Sequence, residues 1–232
     1  MITLDQTGGI ARLTLDRPAQ RNALATSDWR ALAETIARIP REAAVVLLQS
    51  SSPGIFSAGA DLRDLALLAD EPARRAPFRE AMRAGIDALH ALPMPVIAAI
   101  DGGCFGAAVA LGLAADLRIA TPQATFAIPP ARLGIAYPAE DVARLARRIG
   151  EAQAARLLFT GTTIDAAEAL SIGLVDQIGD AATMANEIAR NAPAALVTLK
   201  AMLRDPAHPA HAAAFEDSFA NPRFAAATQR YR

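Results

Sequence analysis

Two short glycine-bearing segments hold the chemistry this sequence can offer. Phe56-Ser57-Ala58-Gly59-Ala60-Asp61-Leu62 and Asp101-Gly102-Gly103-Cys104-Phe105-Gly106-Ala107 each read as a strand that leaves the core, turns sharply and hands over to a helix. The first amides of a helix have no acceptor within it, and a donor there also gains the helix dipole. The N–H groups of Ala60 and Ala107 are therefore candidates to grip one oxygen together. Preorganised donors aimed at developing negative charge are often the largest single catalytic term, and they serve an oxyanion or an enolate.

The elements that must position these amides follow from pattern. The apolar run 43–48 reads as a buried strand, broken by Ser50-Ser51-Ser52-Pro53-Gly54, and Gly59 permits an unusual backbone angle that turns the Ala60 N–H outward. Val96–Ile100 reads as a second buried strand. Gly102, Gly103 and Gly106 then let the backbone turn into a helix over 107–115, with Ala107 in its first turn. Glycine-rich strand-to-helix turns are common in α/β proteins, and one alone identifies nothing; two in this order are a stronger signal.

Elsewhere, Ile10–Leu15 reads as a strand, and 27–39 as a helix with Trp29, Leu32, Ala33, Ile36 and Ile39 on one face and Asp28 in its first turn. Residues 61–90 read as helical but interrupted near Pro72 and Pro77. A short strand is expected over 116–120, and a helix over 138–149 with Val142, Leu145, Ala146 and Ile149 inward. Asp165 and Glu168 resemble a capping box, with Gly173 just past that helix. From 178 the chain is helix-rich, punctuated by Pro193, Pro206 and Pro209.

Composition sets softer limits. At 232 residues and 53% hydrophobic the chain can bury a substantial core. A net charge of -1 argues against a nucleic-acid binder. Lys200 is the single lysine, so the positive charge is nearly all arginine; Arg74-Arg75 and Arg147-Arg148 read as phosphate contacts or as solvated helix faces. Cys104 is the only cysteine, which excludes an intrachain disulfide and reads as a small buried filler rather than a nucleophile. No basic segment with a long apolar run opens the sequence, and no apolar run nears the roughly 20 residues a membrane span needs. The expectation is a cytoplasmic protein with no membrane partner. His90, His208 and His211 form no metal-ligand spacing and no serine triad, so no metal is expected.

A resemblance joins these pieces. Leu15-Asp16-Arg17-Pro18-Ala19-Gln20-Arg21-Asn22-Ala23-Leu24, the two glycine turns, Phe126 through Leu133-Gly134-Ile135, and Leu157-Phe159-Thr160-Gly161 leading to Gly173-Leu174-Val175 are similar to the crotonase superfamily, the enoyl-CoA hydratase/isomerase family, over nearly the whole length. The resemblance implies an α/β fold, a spiral of ββα repeats over 1–177 carrying the acyl-CoA site. A C-terminal helical region over 178–232 would assemble a homotrimer or a dimer of trimers. It implies an acyl-CoA thioester as ligand, with coenzyme A as part of the substrate and no separate cofactor. Arg21 and Ala23 then line the coenzyme A entrance; Ala58, Ala60, Asp61, Leu62, Gly106 and Ala107 surround the thioester. The segment 61–90 covers the acyl group.

The sequence departs from the hydratase pattern where the chemistry is decided. One hydratase glutamate lies three residues beyond the second oxyanion amide, where this chain has Ala110; the other follows the proline of the Phe126 stretch, where it has Pro130. Neither residue titrates, so the usual acid/base pair is absent. Tyr137 and Glu140 are the candidates for the remaining polar chemistry. Proline at the glutamate site with a nearby tyrosine is similar to methylmalonyl-CoA decarboxylases, although those carry a histidine at the first donor and keep a glutamate where Ala110 stands. The bland alternatives are a buried aromatic for Tyr137 and helix-dipole stabilisation for Glu140 and Asp141. Asp64 reads as solvent-facing and Asp61 as a helix cap. Three readings stay open: an enolate-stabilising acyl-CoA enzyme, a decarboxylase of the methylmalonyl-CoA type, and a non-catalytic acyl-CoA-binding protein.

Overall fold

The computed structural model describes residues 2–231. An antiparallel hairpin opens the chain, β1 (Ile2–Thr7) against β2 (Ile10–Leu15), followed by helix α1 (Thr26–Ile36). Three times in succession the chain then lays one strand in a larger sheet, one in a smaller sheet, and enters helix. The first turn is β3 (Val45–Ser50), β4 (Ile55–Ser57), α2 (Leu62–Asp70) and α3 (Arg75–Ala91). The second is β5 (Val96–Ile100), β6 (Gly103–Phe105) and α4 (Ala107–Ala114). The third is β7 (Leu117–Ala120), β8 (Thr125–Ala127), α5 (Ala139–Ile149) and α6 (Glu151–Thr160). Then follow β9 (Ile164–Asp165), α7 (Ala166–Ser171), β10 (Gln177–Ile178) and helices α8 (Ala181–Ala189), α9 (Pro193–Arg204), α10 (His211–Ser218) and α11 (Pro222–Thr228).

The larger sheet runs β1-β2-β3-β5-β7-β10, parallel after its first pair; the smaller runs β4-β6-β8-β9, with β9 antiparallel. This is the spiral of ββα turns. Parallel strands covered on both faces read as continuous apolar runs. Val46 and Leu48 enter the main core with Leu13, Ala98 and the helices, while Val45 and Leu47 face the other way, against Ile97, Ile119 and the small side chains Ala181 and Ala185 of α8. Helix α4 is apolar all round and all eight of its residues are buried, so it occupies the centre with its N-terminus at the end of β6.

Several boundaries differ from the sequence reading for local reasons. The strand expected over 43–48 is Val45–Ser50, and the helix expected to reach Ile39 ends at Ile36. Pro72 does break the third segment, at a short 3₁₀ turn, but Pro77 lies in the first turn of α3, where amides need no intrahelical acceptor and proline is tolerated. Asp141 lies in the first turn of α5 as read, and it is also fully buried on the inner side of that helix. Lys200 is buried as well. Its ammonium donates to Met94 O at 2.7 Å and pairs with Asp116 at 2.6 Å, tying α9 to the edges of β5 and β7. Among the described residues no helix is long and apolar enough to cross a membrane.

Gly102 fixes how the second glycine turn meets the first loop. Its φ is +68°, and a Cβ there would stand 1.9 Å from Gly54 O. Gly102→Ala is expected to lower stability by roughly 2–5 kcal/mol, from the left-handed backbone and the backbone clash together, read as a reduced denaturant midpoint at unchanged slope.

Candidate active site

The site is built on a loop that a buried amide side chain holds in an uncommon shape. After β2, Arg21 and Asn22 both adopt positive φ, 52° and 53°, a region few non-glycine residues enter and asparagine tolerates best. Asn22 is buried, and its side chain accepts from Arg17 N at 2.7 Å while donating to Ser50 Oγ at 2.7 Å and Phe56 O at 3.1 Å. Its own carbonyl accepts from Ser57 Oγ at 2.7 Å. The entrance loop, the end of β3 and the start of the first glycine turn are thereby one hydrogen-bonded unit.

That unit decides which amide is left over. Ala58 N donates to Arg21 O at 2.9 Å, Gly59 N to Ser57 Oγ at 3.0 Å, and Asp61 N to Leu24 O at 3.0 Å. The Ala60 N–H, between them, donates to no protein acceptor among the described residues. The second amide arises similarly. Gly106 N donates to Ala127 O at 2.9 Å, and Gly106, at φ 53° and ψ -121°, turns the chain into α4 so that Ala107 opens the helix with no acceptor for its N–H among the described residues. The two turns touch: a Cβ on Gly59 would stand 3.0 Å from Ala107 N and 2.3 Å from Phe105 O. Only glycine leaves that space open.

Ala60 and Ala107 line one cavity of about 670 Å³, together with Arg21, Ala23, Ala58, Asp61, Leu62, Gly106 and Tyr137. Its walls are otherwise largely apolar, from Leu65, Phe78, Met82, Pro130, Leu133 and Ile135, with Arg63 and Arg132 adding positive charge. Leu62, Leu133 and Ile135 are large apolar side chains left exposed around it, as a ligand-binding wall requires.

The remaining candidates separate. The Tyr137 hydroxyl donates to Gly106 O at 3.0 Å, and burial, with Asp141 nearby, pushes its phenol well above the ordinary range. Glu140 does not reach this cavity. It is exposed on α5 and lines an adjoining hollow of about 430 Å³ with Arg79, Glu80, Arg83 and Asp87; the two hollows share Met82 and Pro138. Asp61 caps α2 by accepting from Arg63 N at 2.9 Å, and it is the one acid lining the larger cavity. Asp64 is not solvent-facing but caps α1, accepting from Thr26 N at 2.7 Å and Thr26 Oγ1 at 2.6 Å. Ala110 is buried within α4 and is not part of the cavity wall, while Pro130 is.

Cys104 is fully buried, which pushes its thiol far up, out of nucleophilic range. Asp141 pairs with Arg83 at 2.9 Å, and desolvation still holds its carboxyl above the ordinary value. Arg74 pairs with Glu71 and Arg148 with Asp176, and neither cluster contributes to the cavity lining; the arginines that do are Arg21, Arg63 and Arg132. No group of three or more potential metal ligands exists among the described residues. The sequence reading gave Asn22 and Ser57 no role. Ser57 carried a signal, a hydroxyl set among Ile55, Phe56 and Ala58, whereas Asn22, beside Gln20 and Arg21, carried none.

Comparisons with known proteins bear on the family and the fold. The family described as Enoyl-CoA hydratase/isomerase matches residues 5–226. The "Probable enoyl-CoA hydratase echA6" of Mycobacterium tuberculosis is 33% identical over 227 residues, covering 94% of this chain and 90% of its own. The mitochondrial "Methylglutaconyl-CoA hydratase" of Rattus norvegicus is 33% identical over 77% of this chain and 58% of its own. A crystal structure from Hyphomonas neptunium, titled as an enoyl-CoA hydratase/isomerase family protein, superposes with a TM-score of 0.90 at 32% identity, covering 99% of this chain and 94% of that one.

Asn22→Ala is expected to cost about 2–4 kcal/mol, since it strands several buried partners and leaves alanine at positive φ. Chemical denaturation reads this directly. Cys104 is expected to resist an aromatic disulfide reagent until denaturant is added, which a thiol-release assay checks.

Proposed function

The chain belongs to the enoyl-CoA hydratase/isomerase family, and from that premise we propose that it binds an acyl-CoA thioester and stabilises the thioester enolate between the Ala60 and Ala107 N–H groups. The observation that supports this is the pair of amides without protein acceptors on adjoining turns, both lining one largely apolar cavity. Ala107 opens a buried helix, so the positive end of the α4 dipole adds to its donor. Arg21, Arg63 and Arg132 meet the phosphates of coenzyme A, and Leu62, Phe78, Met82 and Ile135 take the acyl group. Coenzyme A is part of the substrate here, with no further cofactor. The apolar face of the C-terminal helices, where Phe219 stands edge-on to both Phe215 and Phe224 with Leu199 and Leu203 also exposed, supports assembly as a homotrimer or dimer of trimers.

The wall chemistry favours one reaction among those that pass through an enolate. Asp61 is engaged as a helix cap, Pro130 and Ala110 cannot titrate, and Glu140 lies in the adjoining hollow, so no carboxylate is set to move a proton. Decarboxylation of a malonyl-type thioester needs none. The C–C bond to the carboxylate breaks, its electron pair becomes the enolate held by the two amides, carbon dioxide leaves, and the α-carbon takes a proton from water. A binder without turnover draws on the same missing base.

A pool of enoyl-, malonyl- and methylmalonyl-type CoA thioesters in deuterium oxide separates these readings by mass spectrometry. The expected result is loss of carbon dioxide with one deuterium retained in the product, and unchanged enoyl thioesters. Water added to an enoyl thioester contradicts the base-free reading, and bound thioesters returned unchanged identify a non-catalytic binder. Arg21→Ala is expected to raise the apparent Kd for coenzyme A about 3–10-fold at low salt, with the difference shrinking as ionic strength rises, by calorimetric titration.

A further inference from the structure

We infer that Tyr137 acts as a positioning residue for the second oxyanion donor, orienting and polarising the Gly106–Ala107 peptide through its hydrogen bond to Gly106 O, rather than touching the reacting acyl group. The inference rests on the enolate reading above.

The geometry is that of a single amide plane. Gly106 O and the Ala107 N–H belong to one peptide unit, which is trans, so they point to opposite sides of it. The oxygen side is occupied by protein: Tyr137 Oη donates at 3.0 Å and Val109 N at 2.9 Å, using both lone-pair directions of that carbonyl. The nitrogen side faces the cavity and the Gly59 turn. Gly106 reaches this orientation at φ 53° and ψ -121°, which a residue with a side chain rarely adopts. A glycine hinge also rotates more freely, and the neighbouring Ala107 contributes no side-chain hydrogen bond to hold it. Tyr137 supplies the restraint from outside the helix, from the loop between the short 3₁₀ turn Pro130–Leu133 and α5.

The same bond has an electronic consequence. Donation to a carbonyl oxygen draws charge toward it through the amide and makes the N–H of that peptide a better donor, a cooperative strengthening of about 10–30% per bond. Burial keeps the phenol protonated, so it remains a donor over the whole ordinary pH range. A hydroxyl committed in this way is poorly placed to orient a substrate carboxylate at the same time.

Isotope-edited infrared spectra of [1-¹³C]acetyl-CoA bound to the full-length protein test the inference, because the thioester carbonyl stretch falls as donors polarise it. The wild type is expected to lower the stretch relative to the free ligand. Tyr137→Phe is expected to bind with Kd within about threefold and to show a downshift about twofold smaller, since one of the two donors is loosened. Global 3-fluorotyrosine replacement, which changes only Tyr137 and the exposed Tyr231 outside the cavity lining, makes a stronger phenol donor and is expected to enlarge the downshift even where Tyr137→Phe folds poorly. An unchanged downshift in Tyr137→Phe, or no response to fluorination, overturns the role given to Tyr137 while leaving the enolate reading intact. No downshift in the wild type overturns the oxyanion site itself, and with it this inference.

Discussion

One buried side chain sets the geometry on which the site depends. Asn22 bonds the entrance loop, the end of β3 and β4 at once, and through Ser57 it reaches the first glycine turn. The bonds it organises account for the amides of residues 58, 59 and 61 and leave that of Ala60. Such a network matters more by specifying one arrangement than by the net energy of any single bond, which is about 1 kcal/mol. Were the loop free to slip, nothing in this network would hold the Ala60 N–H toward the cavity.

The second donor depends on packing rather than on a polar hub. Helix α4 is built from small and aliphatic residues and is buried on every side, so the sheets and α3 fix where its N-terminus ends. Glycines let the two backbones approach. Gly59 sits against Phe105 O and Ala107 N, a contact that any Cβ would push apart. Loop, sheet and helix are thus joined at one place, where two amides from different turns of the spiral look into a common cavity.

Much of this was legible in the sequence, and the reasons differ by residue. The unbroken apolar run of Val45 to Leu48 and the Gly102-Gly103 turn state their roles locally, through apolar content and backbone freedom, so the strands, the central helix and both donor turns could be read in order. Asn22, Asp64 and Asp141 could not be, because their partners lie 28 to 58 residues away in the chain. Glu140 stands close to where the resemblance puts a proton-moving carboxylate, yet in the first turn of α5 it lines the adjoining hollow, a placement set by where that helix starts. Pro77 read as a break because its tolerance in a first turn depends on where the helix starts.

The central claim is that one acyl oxygen sits between the Ala60 and Ala107 amides. A crystal structure with an acyl-CoA analogue whose thioester sulfur is replaced by methylene measures this most directly. The account predicts the ketone oxygen about 2.7–3.1 Å from both nitrogens, with Asn22 and its partners unmoved. An acyl oxygen bound elsewhere in the cavity, or either amide turned onto a protein carbonyl, would contradict it.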